Sequence, residues 1–362
     1  MMGLIARVLR RYRLGGMRGV FSRLRERSRG GAGAQAEQSY ADRIAREHSI
    51  FDSEINVHAL PAIYHYWSNR YLLEMEREFG FDHPYDFFAR ELARQTAIAD
   101  GAPLRFVSLG SGNCDAEVDV ALRLRALGVE RFVIECLDLS GPMLARGAAL
   151  ARERGVETQI SPVEQDFNAW RPDRAYHGVM ANQSLHHVLE LEHLLDAVSN
   201  ALVHGGRFVV SDMIGRNGHQ RWPEALAIVH ELWRDLPDKY RFNVQLQRHE
   251  HEFLDWDCST EGFEGIRAQD ILPLCIERFG FEMFLPFANV IDPFIDRGFG
   301  HHFDPAREWD RAFIDRVHAR DEAEILAGNI TPTHMMAIIT NDRDAVPRVR
   351  AHLTPEFCVR RP

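Results

Sequence analysis

Cysteine is scarce in this 362-residue chain, with five in all: Cys114, Cys136, Cys258, Cys275 and Cys358. None stands in a CxxC pair and the spacings form no regular framework. That argues against a disulfide scaffold or a zinc ribbon and suits a reducing, cytoplasmic setting. Long apolar runs are lacking as well, since no stretch approaches the roughly 18–20 residues that cross a bilayer. The Gly-Lys-Ser/Thr signature of a phosphate-binding P-loop is absent, which excludes that nucleotide-binding class. Hydrophobic residues nevertheless make up 45% of the chain, ample for a sizeable core.

Charge is unevenly spread. The net charge is −10, yet residues 1–30 carry nine arginines against the single acid Glu26, so the segment is about +8 and the remainder about −18. So acidic a body repels a phosphate backbone, and no nucleic-acid partner is expected. In the basic segment Leu4, Ile5, Val8, Leu9 and Tyr12 recur at helical spacing between arginines. Residues 1–34 therefore read as a basic amphipathic arm ending in the small-residue linker Gly30-Gly31-Ala32-Gly33-Ala34. Peripheral contact with an anionic membrane through residues 1–29 is one reading. A partner-binding arm and a transit peptide are the others.

Beyond the arm, residues 35–102 form a helical cap, with Ile63, Tyr64, Tyr66, Trp67, Tyr71 and Leu72 at three- and four-residue intervals. From residue 103 to 213, short apolar runs alternate with helical stretches: 105–109, 132–137, 158–162, 177–181 and 207–212 read as strands. That alternation implies parallel strands with helices on both faces, an α/β architecture. Residues 214–265 and 288–331 interrupt the pattern after the fifth and sixth strands and read as insertions covering the substrate. Residues 266–342 supply the last two strands, around 281–287 and 333–340, and residues 343–362 form a tail.

The strongest constellation is Val107-Ser108-Leu109-Gly110-Ser111-Gly112-Asn113-Cys114-Asp115, a strand running through a glycine turn into a helix. Glycines there let a ligand approach the backbone closely at a helix N-terminus. The next strand ends in Asp138, where a carboxylate can accept both ribose hydroxyls of an adenine cofactor, and Asp166-Phe167 follows the third strand. A nicotinamide site needs a glycine where Asp115 stands, and an acid there would repel its pyrophosphate. S-adenosylmethionine carries a sulfonium and an amino group and no phosphate, so nearby acids favour it.

With these motifs in order, the stretch Phe106–Asp212 resembles the class I S-adenosylmethionine-dependent methyltransferases of small-molecule type. The most specific landmarks are Leu137-Asp138-Leu139-Ser140-Gly141-Pro142-Met143-Leu144, Ala181-Asn182-Gln183-Ser184-Leu185-His186-His187 and Leu202-Val203-His204-Gly205-Gly206-Arg207-Phe208. The resemblance implies a Rossmann-like sheet binding S-adenosyl-L-methionine. Gly110, Ser111 and Gly112 would cradle the methionine part, Asp138 the ribose and Asp166 the adenine amino group. Leu139 and Phe167 would sandwich the ring, Met143 would also touch the cofactor, and Asn182 would face the methionine end. Ser108 and Cys114 depart from the family's usual acid and third glycine, so Asp115 or Glu117 is expected to neutralise the cofactor's amino group. His187 and His186, beyond the fourth strand, are candidate catalytic bases.

The acceptor implied is a small molecule or saccharide, with oxygen favoured over nitrogen. The alternative is a non-catalytic S-adenosylmethionine-binding scaffold. No metal site is expected. In His249-Glu250-His251-Glu252 both histidines share a strand face, yet the setting is an acidic surface loop, and His301-His302 with Asp304 reads the same way.

Overall fold

Apolar β-branched runs and amphipathic helices follow one another along the chain, and the computed structural model, which describes residues 40–52, 59–99, 101–260 and 262–360, winds them into one sheet. The basic arm lies outside the described residues. Helix α1 (Tyr40–Phe51) comes first. Helix α2 (Ala62–Trp67) passes through a π-helical turn (Ser68–Leu72) into α3 (Leu73–Glu78), and α4 (Pro84–Ala93) follows.

The core then runs β1 (Leu104–Leu109), α5 (Asp115–Ala126), β2 (Phe132–Asp138), α6 (Gly141–Glu153), β3 (Ile160–Glu164), β4 (Tyr176–Asn182), α7 (Leu191–Ala201) and β5 (Leu202–Met213). The first insertion holds α8 (Pro223–Arg234) and the hairpin β6 (Phe242–Asn243) and β7 (Arg248–His249). Next come α9 (Ala268–Arg278) and β8 (Gly280–Phe287). The second insertion carries α10 (Asp292–Ile295) and α11 (Glu308–Leu326), and the chain closes with β9 (His334–Thr340), β10 (Arg348–Val349) and α12 (Pro355–Cys358).

Strand order in the sheet is β10-β8-β9-β5-β4-β1-β2-β3. Strands β1 to β5 are parallel, as the strand–helix alternation predicts, because each crossover returns the chain to the same edge. Strand β9, whose direction that alternation does not address, runs antiparallel to both β5 and β8. The physical reason is local. The Thr333 N–H and hydroxyl both donate to the Ala288 carbonyl (2.7 and 3.0 Å), so the second insertion is pinned at its base and β8–β9 becomes a wide hairpin. The tail adds β10, an edge strand with no counterpart in the sequence reading.

Central strands are buried on both faces: Phe106, Val107, Val179, Phe208 and Val209 have no exposed surface. The parallel strands all end at one edge, where open α/β sheets place ligands. Aromatic residues of the insertions build a second core, with Trp233 packed against Phe253, Phe299 and Phe294 at ring distances of 5.4, 4.8 and 6.0 Å. Residues Tyr66 and Tyr71 donate to Asp315 of α11 at 2.8 Å, and the Trp67 indole N–H reaches His318 at 3.2 Å. The helical cap is thereby fastened to the second insertion. No helix among the described residues is long and apolar enough to cross a membrane.

Candidate functional site

Strand β1 ends in a turn that only particular residues can make. Gly110 and Gly112 have φ of +69° and +51°, the region that costs side-chain-bearing residues. A Cβ on Gly110 would sit 2.6 Å from Cβ of Ser184, so the loops after β1 and β4 meet there with no room to spare. Cys114, at the usual third glycine, also takes a left-handed φ of 56°. Its buried thiol lies against Gly147 of α6, where a Cβ would fall 2.6 Å from Sγ and 2.9 Å from the Asn113 carbonyl oxygen. The missing glycine of the turn is offset by one on the facing helix.

Asp138 closes β2 with its side chain turned into this crevice. One carboxylate oxygen accepts the Gly112 N–H at 2.7 Å, and the other accepts the Ser140 N–H at 2.9 Å. Burial raises its pKa, an effect these backbone donors partly oppose. Each oxygen keeps a further lone pair for an incoming hydroxyl. Ser111 binds back to the Leu137 carbonyl through its N–H (2.9 Å) and hydroxyl (3.3 Å), holding the turn against β2. Leu139 is half-buried, and Met143 is buried with its methyl 3.2 Å from where a Gly112 Cβ would stand.

The carboxylate beneath the turn is Glu117. Its Oε1 accepts the Ser108 hydroxyl at 2.6 Å, while its Oε2 is buried with no hydrogen-bond partner. Burial pushes its pKa to about 7, against the Ser108 hydrogen bond and with help from Asp115 and Asp138. Asp115 begins α5 and is half-buried.

Asp166 caps a short turn by accepting the Asn168 N–H at 2.9 Å, and Phe167 beside it is buried. The other Asp166 oxygen accepts the Tyr40 hydroxyl at 2.5 Å. Helix α1 thus reaches the crevice, a contact the sequence did not announce. Asp52 at its end accepts the Ser140 hydroxyl at 2.6 Å, and Arg146 donates to the Asp52 carbonyl (3.0 Å) and to the Asn113 side chain (2.8 Å). Phe51 meets His187 edge-on at 6.1 Å, and Glu47 accepts the Phe263 N–H at 2.9 Å. One helix touches the loops after β2, β3 and β4 and the end of the first insertion, and Arg146 links its end to the loop after β1.

Strand β4 ends at the half-buried Asn182, and His186 and His187 follow on a short turn. Asp212, fully buried near the end of β5, accepts the N–H groups of Ser184 and Leu185 (2.8 and 2.7 Å) and faces His186 Nδ1 at 2.7 Å. Burial opposes charge on His186, but Asp212 and Glu264 outweigh it and raise its pKa to about 10. An imidazolium so held is a poor base. His187 is more exposed and sits 3.4 Å from Glu264. Glu264 also stands 2.7 Å from His219 and 3.4 Å from His186, and its pKa lies well below the usual carboxylate range, since the histidines outweigh the effect of burial.

The sequence reading missed Glu264, His219 and Asp212. Asp212 stands one residue short of the end of β5, much as Asp138 ends β2, a signal open to reading. Glu264 lies in Gly262-Phe263-Glu264-Gly265, where no periodicity marks it. In contrast, His249 and His251 do share a face, 4.6 Å apart at the exposed hairpin.

Among solved structures, the chain is similar to a putative sarcosine dimethylglycine methyltransferase from Galdieria sulphuraria, at 12% identity, covering 73% of this chain and 86% of that one with a TM-score of 0.42. It is also similar to geranyl diphosphate methyltransferase in complex with GPP and sinefungin (13% identity, 70% and 77% covered, TM-score 0.40). A third likeness is to the cyclase SpnF (16% identity, 70% and 78% covered, TM-score 0.37). No family profile and no curated protein matches the chain. Its strand order, with β9 reversed between β8 and β5 and a glycine turn after β1, is that of a class I S-adenosylmethionine-dependent methyltransferase-like fold.

Proposed function

We propose that this chain binds S-adenosyl-L-methionine and transfers its methyl group to an oxygen of a small-molecule or saccharide acceptor. The observation that carries the reading is Asp138, turned into the Gly110–Gly112 crevice with lone pairs left over on both oxygens. Bound there, the cofactor supplies a methyl carbon already activated by the sulfonium.

The residues at hand fit that ligand. The open backbone at Gly110 and Gly112 gives the methionine part its cradle, and Asp138 takes the ribose hydroxyls. Phe167, Leu139 and Met143 offer apolar surface for the adenine, and Asp166 accepts its amino group in place of the Tyr40 hydroxyl. The unpartnered oxygen of buried Glu117 answers the amino group of the methionine end, with Ser108 holding the carboxylate in position. An ammonium there relieves a buried charge that otherwise has no counter-ion. Asn182, at the end of β4, would face the methionine end in this reading.

Methyl transfer to oxygen is an in-line displacement, so the protein has to align two reactants and keep water out. Helix α1 supplies the cover. His187 takes the acceptor's proton. It stands beside Phe51 at the mouth of the crevice, and unlike His186 it is not locked between two carboxylates. In this reading the two insertions cover the acceptor, which suits a compact acceptor better than a polymer.

Thermal denaturation with added ligand tests the reading. S-adenosylmethionine and S-adenosylhomocysteine at 100 times their Kd should each stabilise the fold by about 2.7 kcal/mol, and NAD should not. Stabilisation by NAD alone would overturn the assignment.

A further inference from the structure

Three loops distant in sequence converge on a cluster of nitrogen and oxygen donors beside the crevice. His186 follows β4, His219 follows β5, and Glu264 ends the first insertion. Ligand atoms of all three lie within 4.8 Å of one another. His186 Nε2 is 3.4 Å from Glu264 Oε1, and His219 Nε2 is 2.7 Å from the same oxygen.

We propose that His186, His219 and Glu264 form a binding site for a divalent transition-metal ion, with an open coordination position toward the acceptor. Two imidazoles and one carboxylate are the ligand set of catalytic zinc sites and of facial non-haem iron sites. Imidazole donors favour zinc or ferrous iron over magnesium or calcium, which take oxygen ligands. Metal–ligand bonds of about 2.1 Å at tetrahedral angles put donor atoms about 3.4 Å apart. The His186–Glu264 spacing already has that value, and the His219 contact needs only a modest opening.

The surroundings of His186 point the same way. Asp212 Oδ1 lies 2.7 Å from its Nδ1 and also accepts the Met213 N–H, while Oδ2 holds two more backbone N–H groups. A carboxylate so engaged can only accept, so Nδ1 carries the proton and Nε2 is aimed at Glu264. A buried carboxylate that orients a histidine this way is the usual outer partner of a metal-bound imidazole. The incoming cation takes the place of a proton on His186 Nε2, as metal binding to histidine generally requires.

The role given to the ion rests on the methyl-transfer reading, and the site itself does not. An acceptor hydroxyl at the open position would be polarised by the ion that His186, His219 and Glu264 hold. Its oxygen then forms the bond to the methyl carbon as the carbon–sulfur bond breaks, with that electron pair returning to sulfur.

The test uses full-length protein treated with a chelator and dialysed. Calorimetric titration with zinc, and cobalt(II) absorption as a spectroscopic readout, should give one ion per chain with visible bands of low-symmetry coordination. His219→Gln and the near-isosteric Glu264→Gln should each weaken binding by about tenfold or more. His249→Gln, at the exposed cluster with Asp238 and His251, should leave it unchanged. No zinc binding by wild type, or binding lost in His249→Gln and kept in His219→Gln, overturns the proposal. S-adenosylhomocysteine affinity is measured on the same samples. Protein that binds this ligand but no metal refutes the metal site alone, and protein that binds metal but not the ligand supports the site while refuting the cofactor reading.

Discussion

Titrating S-adenosylhomocysteine into the protein across neutral pH probes the buried acid beneath the glycine turn. Burial holds the Glu117 pKa at about 7 in the free protein. The ordinary value for glutamate is about 4.3, so ionising the folded protein costs roughly 3–4 kcal/mol relative to the unfolded chain. The sign follows from a raised folded pKa: the contribution is intact below pH 4 and is lost as pH rises through 7. A ligand ammonium reverses the cost, because it binds the ionised form. If only that form binds well, affinity should rise about tenfold between pH 6 and pH 8, equal to about 1.4 kcal/mol.

Glu117→Gln should flatten the profile and weaken binding at pH 8. Ser108→Ala removes the hydrogen bond that lowers this pKa, so it should move the inflection to higher pH. A flat wild-type profile, or a slope that survives in Glu117→Gln, refutes the assignment of Glu117 to the amino group. Circular dichroism of each variant separates a lost ligand from a lost fold.

Other expectations follow from single contacts. Asp138→Ala, which removes both backbone anchors and the ribose acceptor, should lower S-adenosylhomocysteine affinity by two or more charge-assisted hydrogen bonds, about 3 kcal/mol or more by calorimetry; unchanged affinity would count against the ribose role. Glu76, buried with one oxygen unpartnered, has its pKa raised by burial to about 7. Glu76→Gln should therefore gain stability over wild type as pH rises from about 4.5 through 7, reaching roughly 3 kcal/mol at pH 8 against about 1 kcal/mol at pH 5, and equal stability gains at both pH values would contradict this. Gly147→Ala would drive a methyl against Cys114 and the Asn113 backbone, and should cost about 1–3 kcal/mol in urea unfolding along with cofactor affinity. A neutral result there would mean that α6 has room to move.

Much of the core could be read in advance because β1 and β2 are short, largely buried runs closed by glycine or acid. Phe132–Asp138 and Tyr176–Asn182 fall within a residue of expectation, and Asp138 and Asp166 lie at strand ends, where chain order alone puts them beside the turn. The rest depended on long-range packing. Nothing periodic shows that β9 runs antiparallel, since that follows from Thr333 meeting Ala288 across a second insertion. The histidine–glutamate cluster unites residues up to 78 positions apart in loops without a pattern. Helix α1 could be read as a helix, but its seat on Asp166, Ser140 and Phe263 depends on groups from three other loops.

The central claim is that an adenosyl sulfonium ligand lies over the glycine turn with its sugar on Asp138. Crystals grown with S-adenosylhomocysteine test it most directly. The account predicts both ribose hydroxyls within hydrogen-bond distance of the Asp138 carboxylate, the amino group toward Glu117 and the sulfur facing His187. A ligand bound elsewhere, or a saturated solution that leaves the Gly110–Gly112 crevice without one, would contradict it.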